Sequence, residues 1–204
     1  MSARNDILNR LRVHARGDLA RETHRTIPAR AREAGNDLAP LFRAMAEKSS
    51  ADVVELAHFA DLPQAVAAYL ARLGHRGKLV LAPHQLISTL PWRDGQTGTR
   101  AESTDATVTL AGAGIAETGS VLVSGAADTP YLLNFMAETA IVALPASRLL
   151  ATMEDAFLRL RRHDHWPRAL SFVTGPSRTG DIEQVLELGA HGPKRLLVAL
   201  IRDA

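Results

Sequence analysis

From residue 53 onward this chain keeps a rhythm in which short apolar runs alternate with turn and helix signals. Val53–Phe59, Lys78–Ala82, Thr107–Ala111, Ser120–Val123, Ala140–Leu144, Leu170–Thr174 and Arg195–Ile201 each read as a strand. They are brief, rich in branched and aliphatic side chains, and bounded by Pro, Gly or polar clusters. Pro63–Leu73 reads as a helix, opened by Asp61 and ended by Gly74, and Ser147 to Arg162 and Asp181–Leu188 read as two more. Residues 84–104, punctuated by Pro91, Gly95 and Gly98, read as loop. Strand–helix–strand order with short connections predicts an α/β fold on a mainly parallel sheet flanked by helices.

The N-terminal part is different in kind. Ile7, Leu8 and Leu11 recur at helical spacing within Asn5–Val13, and Leu38, Leu41, Phe42 and Met45 mark one face of a helix over Asp37–Lys48. Asp37 is its expected N-cap and Pro40 falls in its first turn. Between the two, Pro28 interrupts a polar stretch, His14 to Arg30, that reads as an extended arm or a broken helix. The expected organisation is a helical N-terminal extension over 1–50 and an α/β unit over 51–204, together one structural domain. The apolar face of the extension is a candidate for homodimerisation or for docking to a partner.

Composition removes several function classes. The formal net charge is only +2 and aromatics make up 4% of the chain, so no basic, aromatic-interleaved nucleic-acid surface is expected. Arg21, Arg25, Arg30 and Arg32 alternate with Glu22 and Glu33, as on a solvated helical face. The absence of cysteine rules out disulfides, a thiolate nucleophile and a cysteine-ligated iron–sulfur cluster in this chain. No apolar run reaches the ~20 residues of a membrane span. Met1 to Arg12 carries no signal-peptide core, so the expected compartment is the cytoplasm. His163-Asp-His165 lacks a third ligand, so no metal site is expected. There is no Walker lysine, no dinucleotide fingerprint and no Gly-x-Ser-x-Gly elbow. His84, after Pro83, reads as a hydrogen-bonded loop histidine.

Two short segments concentrate polar chemistry. In Ala113-Gly-Ile-Ala-Glu-Thr-Gly-Ser, the glycines Gly112, Gly114 and Gly119 surround Glu117, Thr118 and Ser120 just before an apolar strand. Glycine permits close backbone approach by a ligand. Glu117 is then either a carboxylate fixed over a cleft or a hairpin-turn residue bonding backbone N–H groups. In Thr174-Gly-Pro-Ser-Arg-Thr-Gly-Asp, a strand is expected to turn into a helix. Gly175, Ser177, Thr179 and Gly180 would present N–H and hydroxyl donors to a carboxylate or phosphate, Arg178 would clamp it, and Asp181 would cap the helix. The alternative is a capped helix start with Arg178 paired to an acid.

Ile115-Ala-Glu-Thr-Gly-Ser, then Gly175-Pro-Ser-Arg-Thr-Gly-Asp-Ile-Glu, then Gly189-Ala-His-Gly-Pro together resemble the LutC/YkgG group of LUD-domain proteins. The resemblance implies a fold like that of the NagB/RpiA/CoA transferase superfamily. It also implies a role beside iron–sulfur partner proteins in oxidising L-lactate to pyruvate, the clusters residing in the partners and no cofactor in this chain. His191, in the third motif, joins the expected binding residues. One departure stands out: Tyr131 and Ala140 occupy places where related chains often carry Arg and His.

Three functional readings follow. The first is a non-redox component of lactate oxidation that binds a small anionic metabolite (lactate, phosphate or a CoA-type ligand) or an iron–sulfur subunit. The second is an enzyme in which Glu117, on a turn similar over three or four residues to that of coenzyme A transferases, is nucleophile or base. The third is a structural component that dimerises or docks through its N-terminal arm.

Overall fold

The computed structural model describes residues 3–14, 37–162, 167–180, 186–189 and 191–203. Six strands form one wholly parallel sheet: β1 (Asp52–His58), β2 (Leu79–Leu81), β3 (Gly95–Thr97), β4 (Ala106–Leu110), β7 (Thr139–Pro145) and β12 (Arg195–Asp203). Their spatial order is β1-β12-β7-β4-β2-β3, which places the longest apolar runs at the centre. Every residue of β4 and β7 is buried, as expected of parallel strands covered on both faces.

The alternation of side chains divides each central strand between two cores. Val142, Leu144, Val198 and Leu200 face one side, where α2 (Ala39–Lys48) lays down Phe42 and Ala46. Ile141, Ala143, Leu197 and Ala199 face the other, against Leu62, Val66 and Tyr69 of α3 (Leu62–Arg72). Residues 39–48 of the expected extension are therefore built into the core. The first helix, α1 (Ala3–His14), leaves Ile7 and Leu8 exposed.

A second sheet was not foreseen. It has the order β8-β5-β6-β9, built from β5 (Ala113–Ile115), β6 (Ser120–Ser124), β8 (Leu149–Leu150) and β9 (Leu170–Val173). β6 runs antiparallel to both β5 and β9, so the fold combines a parallel sheet with a smaller mixed one. Val121 and Val123 join the α2 side of the core, while Leu122 turns toward Ala156 of α5 (Met153–Arg161).

Several local expectations are corrected. Ser147 to Arg162 is not one helix. A 3-10 turn, Ala146–Arg148, leads into β8, and α5 starts only after Thr152. Leu149 and Leu150 are drawn into strand geometry by pairing with Gly114 and Ile115. Thr152 and Asp155 then close a reciprocal capping box that fixes the helix start.

Nor does the second motif lead into a helix over Asp181–Leu188. Leu186–Leu188 is a strand, β11, paired antiparallel with β10 (Arg178–Gly180), and residues 181–185, Asp181 among them, lie outside the described residues. The alternating Leu-Glu-Leu of 186–188 fits a strand. The stretch 84–104 holds a four-residue helix, α4 (Gln85–Ser88), and the edge strand β3. The cap residue of α2 is Leu38, although the Asp37 carboxylate still accepts the Ala39 N–H at 3.1 Å. His163, His165, Trp166 and most of the polar arm lie outside the described residues. Among the described residues, no helix is long and apolar enough to cross a membrane.

Candidate functional site

The first motif is the hairpin turn between β5 and β6. Its backbone is clamped on both sides: the Gly119 N–H donates to the Ile115 carbonyl at 2.9 Å, and the Ala116 and Glu117 N–H groups reach Leu150 and Ala151 at 2.9 and 3.1 Å. Glu117 is buried, and its Oε1 accepts the Met153 N–H at 3.1 Å. Met153 opens α5, so the carboxylate answers one of the unpaired N–H groups at the positive end of that helix. Of the two readings of Glu117, this geometry is that of a carboxylate bonding backbone.

The second motif arrives beside the first because β9 runs antiparallel to β6, with Val121 opposite Val173. Thr174, one residue past β9, therefore lies at the start of β6. The Thr118 and Ser120 hydroxyls are 2.7 Å apart, and the Ser120 and Thr174 hydroxyls 2.5 Å. Ser120, in the middle of the three, is fully buried, while Thr118 at one end is half-buried and Thr174 at the other is exposed. Each can donate and accept, which lets the chain switch direction when something binds at its outer end.

The glycines of both motifs have a shared structural reason. Gly119 and Gly175 hold φ of +66° and +77°. A Cβ on Gly119 would lie 2.1 Å from the Ala46 nitrogen, and one on Gly175 would lie 2.0 Å from the Ser49 oxygen. The backbone that makes the close approach is thus the C-terminal end of α2, wedged against both turns.

The third motif packs on the second. The Ser177 N–H donates to the Pro193 carbonyl at 2.9 Å, the Gly189 N–H to the Ser177 carbonyl at 3.1 Å, and the His191 N–H to the Ser177 hydroxyl at 3.4 Å. Arg178 is exposed at the start of β10 and has no ion-pair partner among the described residues; the acids that follow it in sequence, Asp181 and Glu183, lie outside them. Thr179 and Gly180 follow it in the same strand. The structure brings Thr118, Gly119 and Ser120 to Thr174 and Gly175, and Ser177 to His191.

Other polar contacts lie outside the three motifs. Thr109 donates to the Asn134 side chain at 2.7 Å in the interior, and the Tyr131 and Ser171 hydroxyls are 2.6 Å apart. Tyr131 also packs on Phe135 with ring centroids 4.9 Å apart, so the residue at the departure from related chains ties the 131–135 turn to β9. Ala140 is buried in β7. His84 Nδ1 accepts the Leu86 N–H at 3.2 Å, and its Nε2 stands 3.7 Å from Asp128. No single motif marks these residues. Among the described residues, no group of three His, Asp or Glu could hold a metal ion.

The model of the LUD domain family matches residues 71–201. Lactate utilization protein C of Anoxybacillus flavithermus is 33% identical over 89 residues, covering 44% of this chain and 40% of that protein. Its Bacillus subtilis counterpart is 28% identical over 108 residues, covering 51% of this chain and 45% of that protein. The chain spans less than half the length of these relatives. A crystal structure of a DUF162 family protein from Deinococcus radiodurans shares the fold, with a TM-score of 0.60 at 20% identity over 85% of this chain and 99% of that one.

Proposed function

Because this chain belongs to the LUD domain family, we propose that it is a non-redox component of an L-lactate utilisation system in the cytoplasm, holding a small carboxylate or phosphate at the hydroxyl-lined rim between its two motif turns. The observation that carries this reading is the meeting of Thr118, Ser120 and Thr174. Four residues after Thr174, at the start of β10, stands Arg178, a guanidinium with no carboxylate partner among the described residues. Hydroxyls that can reverse their hydrogen bonds, with a planar bidentate donor a few residues along the chain, suit an oxyanion. The backbone of Gly175 to Gly180 and the exposed His191 complete the proposed site. The printed names of the relatives supply the lactate context. Electron transfer needs a redox centre, and a chain without cysteine leaves iron–sulfur clusters to partner proteins.

The test is ligand-dependent thermal stabilisation of the intact protein by L-lactate, pyruvate and inorganic phosphate in separate titrations. At least one should raise the melting temperature saturably, as a ligand that binds only the folded state must. Arg178→Ala should abolish that rise while leaving the unliganded melting temperature within about 2 °C, because the side chain is exposed. Stabilisation that survives the substitution would remove the clamp from the account.

A further inference from the structure

A cavity of about 840 Å3 lies between α3 and the β2–β3 edge of the large sheet, and none of its lining residues belongs to the motif turns. Its size is that of small-molecule sites. One wall is aliphatic, formed by Pro63, Ala67 and Leu70 of α3. Trp92 also lines it, and its indole N–H is bound to the Ile87 carbonyl at 2.7 Å, so the ring is held in place with its polar group satisfied.

Two glycines fix the walls before anything binds. A Cβ on Gly95 would lie 2.7 Å from Leu81 Cδ1 and 3.1 Å from Trp92 Cβ, so strand and tryptophan close up only because residue 95 has no side chain. A Cβ on Gly77 would lie 1.9 Å from the Thr104 carbonyl oxygen, which pins the lining segment between α3 and β2. The charge is unbalanced. Lys78 and Arg93 are exposed on the lining without an ion-pair partner among the described residues, and Asp94 is its single acid. His75 lines the same cavity, and its Nε2 is buried without a hydrogen-bond partner among the described residues.

We propose that this cavity is a second binding site, for an amphiphilic organic anion whose flat apolar body lies along Trp92 and α3 while its acidic head meets Lys78 and Arg93. Apolar walls with a few fixed polar groups give such a ligand both burial and orientation. The two cations supply charge-assisted hydrogen bonds to the head.

The chain has two tryptophans, so Trp166→Phe leaves Trp92 as the sole reporter. The probe is 8-anilinonaphthalene-1-sulfonate, added to the folded full-length protein. Saturable probe fluorescence with energy transfer from Trp92 is expected. Replacing Lys78 and Arg93 together by Ala should weaken binding about tenfold or more. The neutral analogue N-phenyl-1-naphthylamine should bind the parent and the double variant equally. Ala67→Trp should abolish binding by filling the space, and Ala71→Trp does the same job if the first variant does not unfold cooperatively. Arg178→Ala should change nothing, which separates this site from the motif turns. No saturable transfer, binding that persists with the cavity filled, or an affinity indifferent to the two cations would each overturn the proposal.

Discussion

Gly119 and Gly175 look alike in sequence to Gly74, yet their surroundings differ. All three hold positive φ, but a Cβ on Gly74 would meet nothing within 4 Å, whereas one on Gly119 would overlap the backbone of α2. Gly74→Ala should therefore cost only the conformational penalty of a left-handed residue, about 1–2 kcal/mol. Gly119→Ala adds a backbone collision that no rotamer relieves, and should cost about 3 kcal/mol or more. Equilibrium denaturation in urea compares the two directly. A reverse case lies in the core. The Thr107 hydroxyl is buried without a hydrogen-bond partner among the described residues, so Thr107→Val keeps the shape, removes an unsatisfied polar group and should stabilise the protein by about 1 kcal/mol. Denaturation midpoints that fall instead would show that the hydroxyl has a partner.

Elements are tied together at the surface by a chain of charges. Arg43 of α2 reaches Glu47 at 2.8 Å and Glu55 of β1 at 3.3 Å, and Glu55 in turn receives Arg202 of β12 at 2.8 Å. The hydrogen bond from Arg202, aided by the charges of Arg202 and Arg43, lowers the Glu55 pKa from its ordinary 4.5. A carboxylate depressed by folding contributes stability that is complete above its unfolded pKa and is lost as pH falls through the folded value. Glu55→Gln should therefore flatten the acid-side fall in stability below pH 4.5, with little change to the curve at higher pH beyond a uniform offset. Because these groups are partly exposed, added salt should shrink the difference between the two proteins. Thermal melts across pH, at low and high ionic strength, measure both effects.

The same scale shows what the residues disclosed. β7 and β12 were legible because burial on both faces makes them near-continuous apolar runs. β8 and β11 were not, since two or three residues carry no period of their own and take strand form from distant partners such as Gly114 and Arg178. The start of α5 was readable in Thr152 and Asp155, but Leu149 and Leu150 also fit a helical period and hid it. At the candidate site, the meeting of the two motif turns could be expected from their polar content. The reason for the glycines could not, because Ala46 and Ser49 approach from far away along the chain.

At the scale of the molecule, the family match begins at residue 71, but the folded unit does not. Phe42 of α2 and Leu62 and Val66 of α3 are completely buried in opposite cores, and β1 adds a strand to the sheet. A chain beginning at Asp37 should retain cooperative thermal unfolding, and one beginning at Ala71 should lack it, as followed by circular dichroism. The shorter chain exposes apolar faces from both cores and should also associate, which light scattering would detect. A cooperative transition in the shorter chain would place the unit's boundary inside the family match.

The position of β12 carries a consequence for how the protein is made. It lies between β1 and β7, and among the described residues β1 has no other neighbour in the sheet. During synthesis, Asp52–His58 emerges early and must wait unpaired until Arg195–Asp203 clears the ribosome. Throughout that interval the nascent chain carries an open sheet edge on β7, so its exposure to chaperones and to wrong partners is set by the delay in translating its last-formed strand.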